Sequence, residues 1–535
     1  MWRKHGWGLF FNPGNKNFEV YRNDTYIDKS GMIGLMNATL GKKDKLSCVS
    51  RPRRFGKTYA AAMLVAYYDK SCDSSALFKD LSIASDADYE KHRNKYNVMY
   101  LDMTYFRSQC GGRDELIRYT QKELIDELCE MYPKYVDKDM SLPKALESVV
   151  DHDGSQYIAV IDEWDAPIRD AKATEEQKHD YLDFLRGFFK NTAITNKVFA
   201  GAYMTGILPI KKDGSQSAIS EFKEYSILDP EEFAPYIGFT EEEVRKLCED
   251  RDLDFETMKR WYDGYRLPGV GEIYNSNSVM MAARAGKYKS YWQVSSAADS
   301  LIQYLNMDFD GLGEDADALI NGHSITVNTT LFKNDMSELY SRDDVITLLI
   351  HFGYLCYDPD DGSAHVPNLE IRLEYENAIR RITHVETMRR VKESDELFKA
   401  TEDMDAEKVA RIIQGVHDRE CSPRHYNREE SLRSVIKLAY YTYRDYYAQL
   451  EEVGGGTGFA DMVFIPRRAA RRSILIIELK RDDTPENAIK QIRDRGYALP
   501  YESRDEDILL IGVTYDSKDP KKPHHCLIEE YMPEE

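Results

Sequence analysis

The 535-residue sequence predicts an α/β protein: a parallel sheet covered by helices on both faces, a largely helical middle, and a second, smaller α/β unit. Three observations predict it. Continuous apolar strand patterns alternate with amphipathic helix patterns through the first half, as in a parallel sheet buried on both sides. Helical periodicity takes over after about residue 230. Strand patterns return near the end of the chain.

The elements follow in order. Leu46–Val49 reads as a strand and Thr58–Tyr68 as a helix. Asn97–Leu101 is a second strand, followed by a helix over Glu115–Met131. Tyr157–Ile161 is a third strand, and Tyr181, Leu182, Phe184, Leu185 and Phe188 have helical spacing. Val198–Met204 is a fourth strand. Helices are expected over Glu231–Glu249, Met258–Tyr262, Ser295–Leu305 and Asp343–Phe352. The turn Asp358-Pro359-Asp360-Asp361-Gly362 joins two short strands, Tyr354–Tyr357 and Ala364–Val366. A helix followed by a hairpin reads either as a winged-helix module or as a helical lid that carries a hairpin. Residues 373–448 are helical in pattern; strands then run over Asp461–Ile465, Ile474–Leu479 and Ile508–Thr514. The expected boundaries divide the chain into 20–230, 231–390 and 391–535.

Composition excludes several classes. Hydrophobic residues make up 42%, enough for packed cores and too many for a disordered chain. The formal net charge is −21, which disfavours a general nucleic-acid coat or membrane-surface binder, so any nucleic-acid contact needs a local basic patch. No apolar run approaches the roughly 20 residues of a membrane helix. The apolar stretch Trp7–Phe11 is cut short by Asn12-Pro13-Gly14, so no signal-peptide core is expected. Eight cysteines without a C-x-x-C pair point to the reducing cytoplasm.

The segment Arg51-Pro52-Arg53-Arg54-Phe55-Gly56-Lys57-Thr58 lies between a strand and a helix. Backbone N–H groups at a helix N-terminus hold phosphate oxygens; a lysine reaches the outer phosphates and a hydroxyl joins the Mg2+ shell. Gly56, Lys57 and Thr58 fit those roles, with Arg54 and Tyr59 flanking the nucleotide. Arg51 stands where such loops open on glycine. The third strand ends in Asp162-Glu163, which puts Asp162 at the Mg2+ shell and Glu163 beside the attacking water. Thr205, closing the fourth strand, reads equally as a γ-phosphate sensor or as a strand-end turn residue. ATP with Mg2+ is the expected ligand.

Tyr26-Ile27-Asp28-Lys29-Ser30 and the Arg-Pro-Arg-Arg-Phe-Gly-Lys-Thr loop resemble the AAA-ATPase-like family of bacterial proteins. Ile161-Asp162-Glu163-Trp164-Asp165-Ala166-Pro167 is similar to its Walker B segment, with Trp164 where tyrosine is usual. Further landmarks are Trp261–Tyr265, Ile273–Asn275, Gly353–Leu355 and Val366–Glu370, so the resemblance covers about residues 20 to 380. It implies a P-loop NTPase parallel sheet with a lid, and makes Arg51 a family feature rather than a defect.

Near the C-terminus, Asp461 opens one strand pattern, and the aliphatic run Ile474–Ile477 leads to Glu478-Leu479-Lys480. Residues i and i+2 of a strand share a face, so Glu478 and Lys480 point the same way. A hairpin would bring Asp461 to them. Carboxylate oxygens suit Mg2+, with Mn2+ an alternative at this site. Lys480 is placed to orient or deprotonate the attacking water. The pattern resembles the Asp…Glu-x-Lys motif of the PD-(D/E)XK nuclease superfamily, which implies a restriction-endonuclease-like domain. Gln491, on a helix capped by Thr484-Pro485, resembles its downstream glutamine. Glu430, Glu451 and Glu452 compete for an upstream carboxylate role. Phe459-Ala460 stands where Gly-Arg is usual, which removes a phosphate contact. From Asp461 to Pro500 nine basic residues outnumber six acidic ones, and the Pro466–Arg472 loop reads either as a phosphate contact or as a solvated hairpin tip. His524-His525-Cys526 reads as a surface tail rather than a metal site.

The combined expectation is an ATPase whose nucleotide state controls metal-dependent cleavage of DNA or RNA, in defence or mobile-element control, with no membrane partner and a homo-oligomer as an option. No helicase-like motif set follows Asp162, which argues for control rather than translocation. The rival is an ATP-switched scaffold whose nuclease fold only binds.

Overall fold

Three runs of aliphatic and small residues, β1 (Leu46–Ser50), β3 (Tyr157–Asp162) and β4 (Phe199–Gly206), are buried at every position. Such strands need cover on both faces and must sit inside a sheet. The computed structural model describes residues 8–532, except single residues or short runs within 171–218, 293–310, 334–338, 382–384, 421–428, 441–445, 468–471 and at 520. In it β2 (Asn97–Asp102) and β5 (Lys223–Tyr225) complete a five-stranded parallel sheet of order β2-β3-β4-β1-β5. β5 is absent from the sequence expectation, because Lys223-Glu224-Tyr225 is too short and polar to stand out as a buried run. Its edge position beside β1 tolerates that composition. The helix Leu116–Met131 buries Leu116, Thr120, Leu124 and Leu128 at four-residue steps against the same core as β3 and β4.

By its internal contacts the chain forms two compact units, residues 1–374 and 375–535. The parallel sheet and the middle region both lie in the first. The single helix expected over 231–249 is replaced by a short strand, Phe239–Thr240, and then α2 (Glu241–Arg251). Thr240 stops the helix from starting earlier. Its hydroxyl accepts from the Glu243 N–H at 3.4 Å, and the Glu243 carboxylate accepts from the Thr240 N–H at 2.8 Å, a reciprocal cap. The helix expected over Ser295–Leu305 falls almost wholly outside the described residues. α3 (Ser276–Ala285) and α4 (Arg342–Phe352) follow. After α4, Cys356–Asp358 and Ser363–His365 form the expected hairpin, and Ile325–Thr326 adds a third antiparallel strand to it.

The second unit takes in the end of the helix Leu369–Arg381, followed by α5 (Val385–Glu402), α6 (Ala406–Glu420) and α7 (Glu429–Ala439). Its sheet contains β6 (Tyr447–Gly455), β7 (Gly458–Pro466), β8 (Ile474–Arg481), β9 (Ile508–Tyr515) and β10 (His524–Glu530), in chain order. β8 and β9 pair in parallel; the other neighbours are antiparallel. α8 (Pro485–Arg495) is the crossover between the parallel pair. Leu475, Ile477 and Leu479 pack with α5–α7, whereas Ile474 and Ile476 pack with Ile489 and Ile492 of α8. β6 leaves no clear mark in the sequence because an edge strand with a half-exposed pattern lacks an apolar run.

The expected surface tail at 524–526 is instead β10. His524 is buried, hydrogen-bonded to His417 of α6 at 2.9 Å and stacked on Tyr515. Burial is the main reason both imidazoles are held down to about 4. No helix among the described residues is long and apolar enough to cross a membrane.

Candidate nucleotide and metal sites

β1 delivers the phosphate loop and α1 (Lys57–Tyr68) receives it. Gly56 is the N-cap of α1 with φ +92°, a conformation that a side chain would strain. Lys57 is buried, and its ammonium donates to the carbonyls of Arg51 (3.2 Å) and Pro52 (3.0 Å) and lies 3.7 Å from Glu163 Oε1. Burial lowers its pKa, and the carboxylates of Glu163, Asp165 and Asp162 oppose that shift. β3 brings Asp162 to the same end of the sheet. Its carboxyl is pushed up to about 6, first by burial and then by Glu163, while a hydrogen bond from Thr58 and the charge of Lys57 work the other way. Thr58 and Asp162, the two residues expected at the Mg2+ shell, are therefore already in contact.

Beside the loop lies a cavity of about 240 Å3. Arg54, Lys57, Thr58 and Glu163 line one part, and Tyr26, Ile27, Tyr59, Met63, Phe239 and Met280 give it an apolar part. Tyr59 stacks on Tyr21 with ring centroids 3.9 Å apart. An anion-binding helix terminus next to an apolar slot matches a nucleoside triphosphate.

In the second unit Asp461 lies inside β7 rather than opening it, and the β7–β8 ladder over Met462–Phe464 ends next to Asp461 and Glu478. The two carboxylates are near enough for Asp461 to act on Glu478, and Glu478 and Lys480 share a face by their i, i+2 spacing. Lys480 Nζ donates to Glu478 Oε1 at 3.0 Å, and the Gln491 amide of α8 donates to that same oxygen. Asp461 Oδ2 accepts from the Leu479 N–H at 2.8 Å, and Oδ1 from Arg433 Nη2 of α7 at 3.1 Å. Glu478 is almost fully buried, and its Oε2 has no hydrogen-bond partner. Its carboxyl is pushed up to about 7 by burial first and by Asp461 second, with Lys480 opposing. A buried carboxylate oxygen without a donor, beside a second carboxylate, is what a divalent cation satisfies.

Residues 13–215 match the family described as predicted AAA-ATPase, AAA-ATPase-like, and residues 427–524 match the PD-(D/E)XK nuclease superfamily. The chain thus carries an AAA-ATPase-like region and a PD-(D/E)XK nuclease superfamily region. A protein of Azotobacter chroococcum mcd 1, described as an uncharacterized protein in the vnfD 5' region, is 19% identical over 516 residues, which span 92% of each chain. Among solved structures, a Walker-type ATPase of Pyrococcus abyssi is 11% identical with a TM-score of 0.35, covering 65% of this chain and 94% of its own. The ORC2 protein of Aeropyrum pernix is 10% identical with a TM-score of 0.29, covering 67% and 97%.

The structure also places Arg51, Thr205 and Arg54. Arg51 does not face the nucleotide pocket. Its buried guanidinium donates to the carbonyls of Ser50 (2.8 Å) and Tyr225 (2.9 Å), joining β1 to the end of β5, and burial lowers its pKa to about 10. Thr205 is fully buried and its hydroxyl donates to the Val49 carbonyl at 2.9 Å. The sensor role needs that hydroxyl at the phosphate; within β4 it instead ties to the paired residue of β1, which is neither a sensor nor a turn contact. Arg54 lines the cavity and donates to the Tyr291 carbonyl.

Other residues of the site carry no conspicuous mark in the sequence. Arg169 donates to Glu163 Oε2 (2.5 Å) and Asp165 Oδ2 (2.8 Å), and Asp165 in turn accepts from the N–H groups of Ile207 and Leu208. The spacing Asp165…Arg169, i to i+4, is the one local signal. The middle-region landmarks prove to be the wall against which the phosphate loop rests: Phe55 meets Tyr265 edge-on, Pro52 fills the space left by Gly353, and Ser276 donates to the Phe55 carbonyl. In the nuclease-superfamily unit the upstream glutamates separate. Glu452 pairs with Arg433 at 2.8 Å, Glu451 pairs with Lys437, and the Glu430 side chain lies outside the described residues. So do residues 468–471 of the basic loop.

Proposed function

We propose that this protein binds and hydrolyses ATP with Mg2+ and uses the nucleotide state to control phosphodiester cleavage of DNA or RNA by its nuclease-superfamily unit. The observation that carries the reading is the buried Glu478 carboxylate beside Asp461, with Lys480 on the same strand face donating to it.

In the ATPase unit, Lys57 and the N–H groups of α1 would hold the phosphates, Thr58 and Asp162 would hold Mg2+, and Glu163 would take a proton from the attacking water. Arg169 positions Glu163 by pairing with its Oε2. In the second unit, Asp461 and Glu478 would hold the divalent ion, Mg2+ or Mn2+, which supplies an acidified water and stabilises charge on the phosphate. Gln491 and Lys480 keep Glu478 oriented. Lys480 also orients the nucleophilic water at its ammonium.

The test is a nicking assay with full-length protein on single- and double-stranded DNA and RNA, with Mg2+ or Mn2+, with and without ATP. Cleavage that needs the metal, disappears in Glu478→Gln and changes with ATP supports the reading. Nucleic-acid binding without cleavage in either metal would replace it with the scaffold role.

A further inference from the structure

The PD-(D/E)XK pattern supplies two carboxylates and a lysine, but the site holds two more charged groups. Arg433, on α7, spreads its guanidinium between two carboxylates: Nη1 to Glu452 Oε1 at 2.8 Å and Nη2 to Asp461 Oδ1 at 3.1 Å. Its side chain is 17% exposed and that of Asp461 14%, whereas Glu452 is 70% exposed and anchored by Arg433. Glu452 also has a positive φ of 48°, and the β6–β7 ladder skips the step where Glu452 and Asp461 would pair. The backbone thus departs from regular pairing at the point where the guanidinium enters.

A fork of two N–H arms bridging two carboxylates does electrostatically what a divalent cation between them would do. Asp461, Glu452 and Glu478 are balanced by Arg433 and Lys480 to one net negative charge, which suits a single divalent ion. Without Arg433 the same carboxylates would carry a further uncompensated charge, and Glu452 would be free to rotate toward Asp461.

We propose that Arg433 is the built-in counter-ion of the metal site: it fills the place of a second cation between Asp461 and Glu452 and limits the site to one divalent ion, held by Asp461 and Glu478. The inference rests on the metal-site reading above. It assigns Arg433 a positioning role, acting through Asp461, and it makes the chain a one-metal catalyst.

The experiment counts Mn2+ bound to full-length protein by electron paramagnetic resonance, without nucleotide or nucleic acid. The Asp162→Asn background silences the ATP site. One ion is expected with Arg433 present and with Arg433→Lys, which keeps the charge. Two ions are expected in Arg433→Gln, the first bound roughly tenfold more tightly because a nearby positive charge is gone. Glu452→Gln added to Arg433→Gln should return the count to one. Arg433→Met, which keeps the apolar stem without the charge, is a second variant with the same expectation should Arg433→Gln fold poorly.

A structural ion pair would lower the melting temperature of these variants without changing the ion count. A single ion at unchanged affinity in a folded Arg433→Gln or Arg433→Met chain would therefore overturn the counter-ion role. If the chain with Arg433 binds no ion that Asp461→Asn removes, the metal site itself falls, and the counter-ion role with it.

Discussion

The apolar runs of β3 and β8 meet the same problem differently. Each is a dry aliphatic strand that carries a carboxylate to the rim of a core, Asp162 on one and Glu478 on the other. Both carboxyls are raised for the same reasons in the same order, burial first and a neighbouring carboxylate second. The compensation differs. Asp162 is flanked by a helix N-terminus, Thr58 and the ammonium of Lys57, which is itself held by two loop carbonyls. Glu478 is held mainly by side chains, Lys480 and Gln491, with one backbone hydrogen bond from Asp461. The first site is a loop and helix N-terminus beside a cavity of about 240 Å3. The second is a short row of side chains. Under the proposed function, backbone donors suit the first to phosphate and neighbouring carboxylates suit the second to a divalent cation.

The largest effect should come from the base of the first site. Glu163→Gln should leave ATP binding intact and slow hydrolysis by about 10²–10⁴-fold, the usual worth of a general base, measured as single-turnover phosphate release. An unchanged rate would break the assignment of catalysis to the end of β3.

Next is Lys57→Ala. Removing charge-assisted contacts worth about 3 kcal/mol should weaken ATP on the order of 100-fold by calorimetric titration. Equal affinity in the two proteins would mean that the cradle is not a phosphate site.

Glu478→Gln sharpens the contrast through stability. Between its ordinary value of 4.5 and its folded value of about 7, Glu478 binds more protons folded than unfolded. Stability therefore falls as pH rises through that window. In metal-free protein at pH 8, Glu478→Gln should stabilise the second unit by about 1–3 kcal/mol and abolish Mn2+ binding there; at pH 5 the stability gain should shrink toward zero. Denaturant melts at the two pH values measure it, and a loss of stability at pH 8 would show that the carboxylate is a structural partner. Asp162→Asn should behave likewise in the first unit, within a window ending near pH 6.

The smallest effect concerns the cavity wall. Tyr59 is 47% exposed and stacked on Tyr21, so Tyr59→Ala should cost about 1 kcal/mol of ATP affinity, near fivefold, in the same titration. A loss as large as that of Lys57→Ala would move the base-binding role onto this ring.

Patterns local in the chain are legible in the sequence itself. Hydrophobic continuity marks β1, β3, β4, β8 and β9, because a buried strand must be apolar on both faces wherever it ends up. Asp162 and Glu478, each following an aliphatic run, and the Gly56-Lys57-Thr58 turn are legible for the same reason: charge after a dry run, or glycine and lysine at a strand-to-helix turn, carries its chemistry in its sequence context. The edge strands β5, β6 and β10 are not, since an edge is defined by its neighbour and leaves a mixed pattern.

Partnership across distance belongs to the tertiary structure alone. Nothing near Thr205 in sequence tells that its hydroxyl turns to Val49, or that Arg51 lies beneath Tyr225 rather than over phosphate. Nor does the chain around Arg433 reveal that it stands between Glu452 and Asp461, 19 and 28 residues away. Side-chain type and spacing decide what a residue is able to do within its own strand or turn. Which carboxylate a guanidinium reaches, and which oxygen is left without a donor, depends on how separate elements pack, and that is settled only when the whole core closes around them.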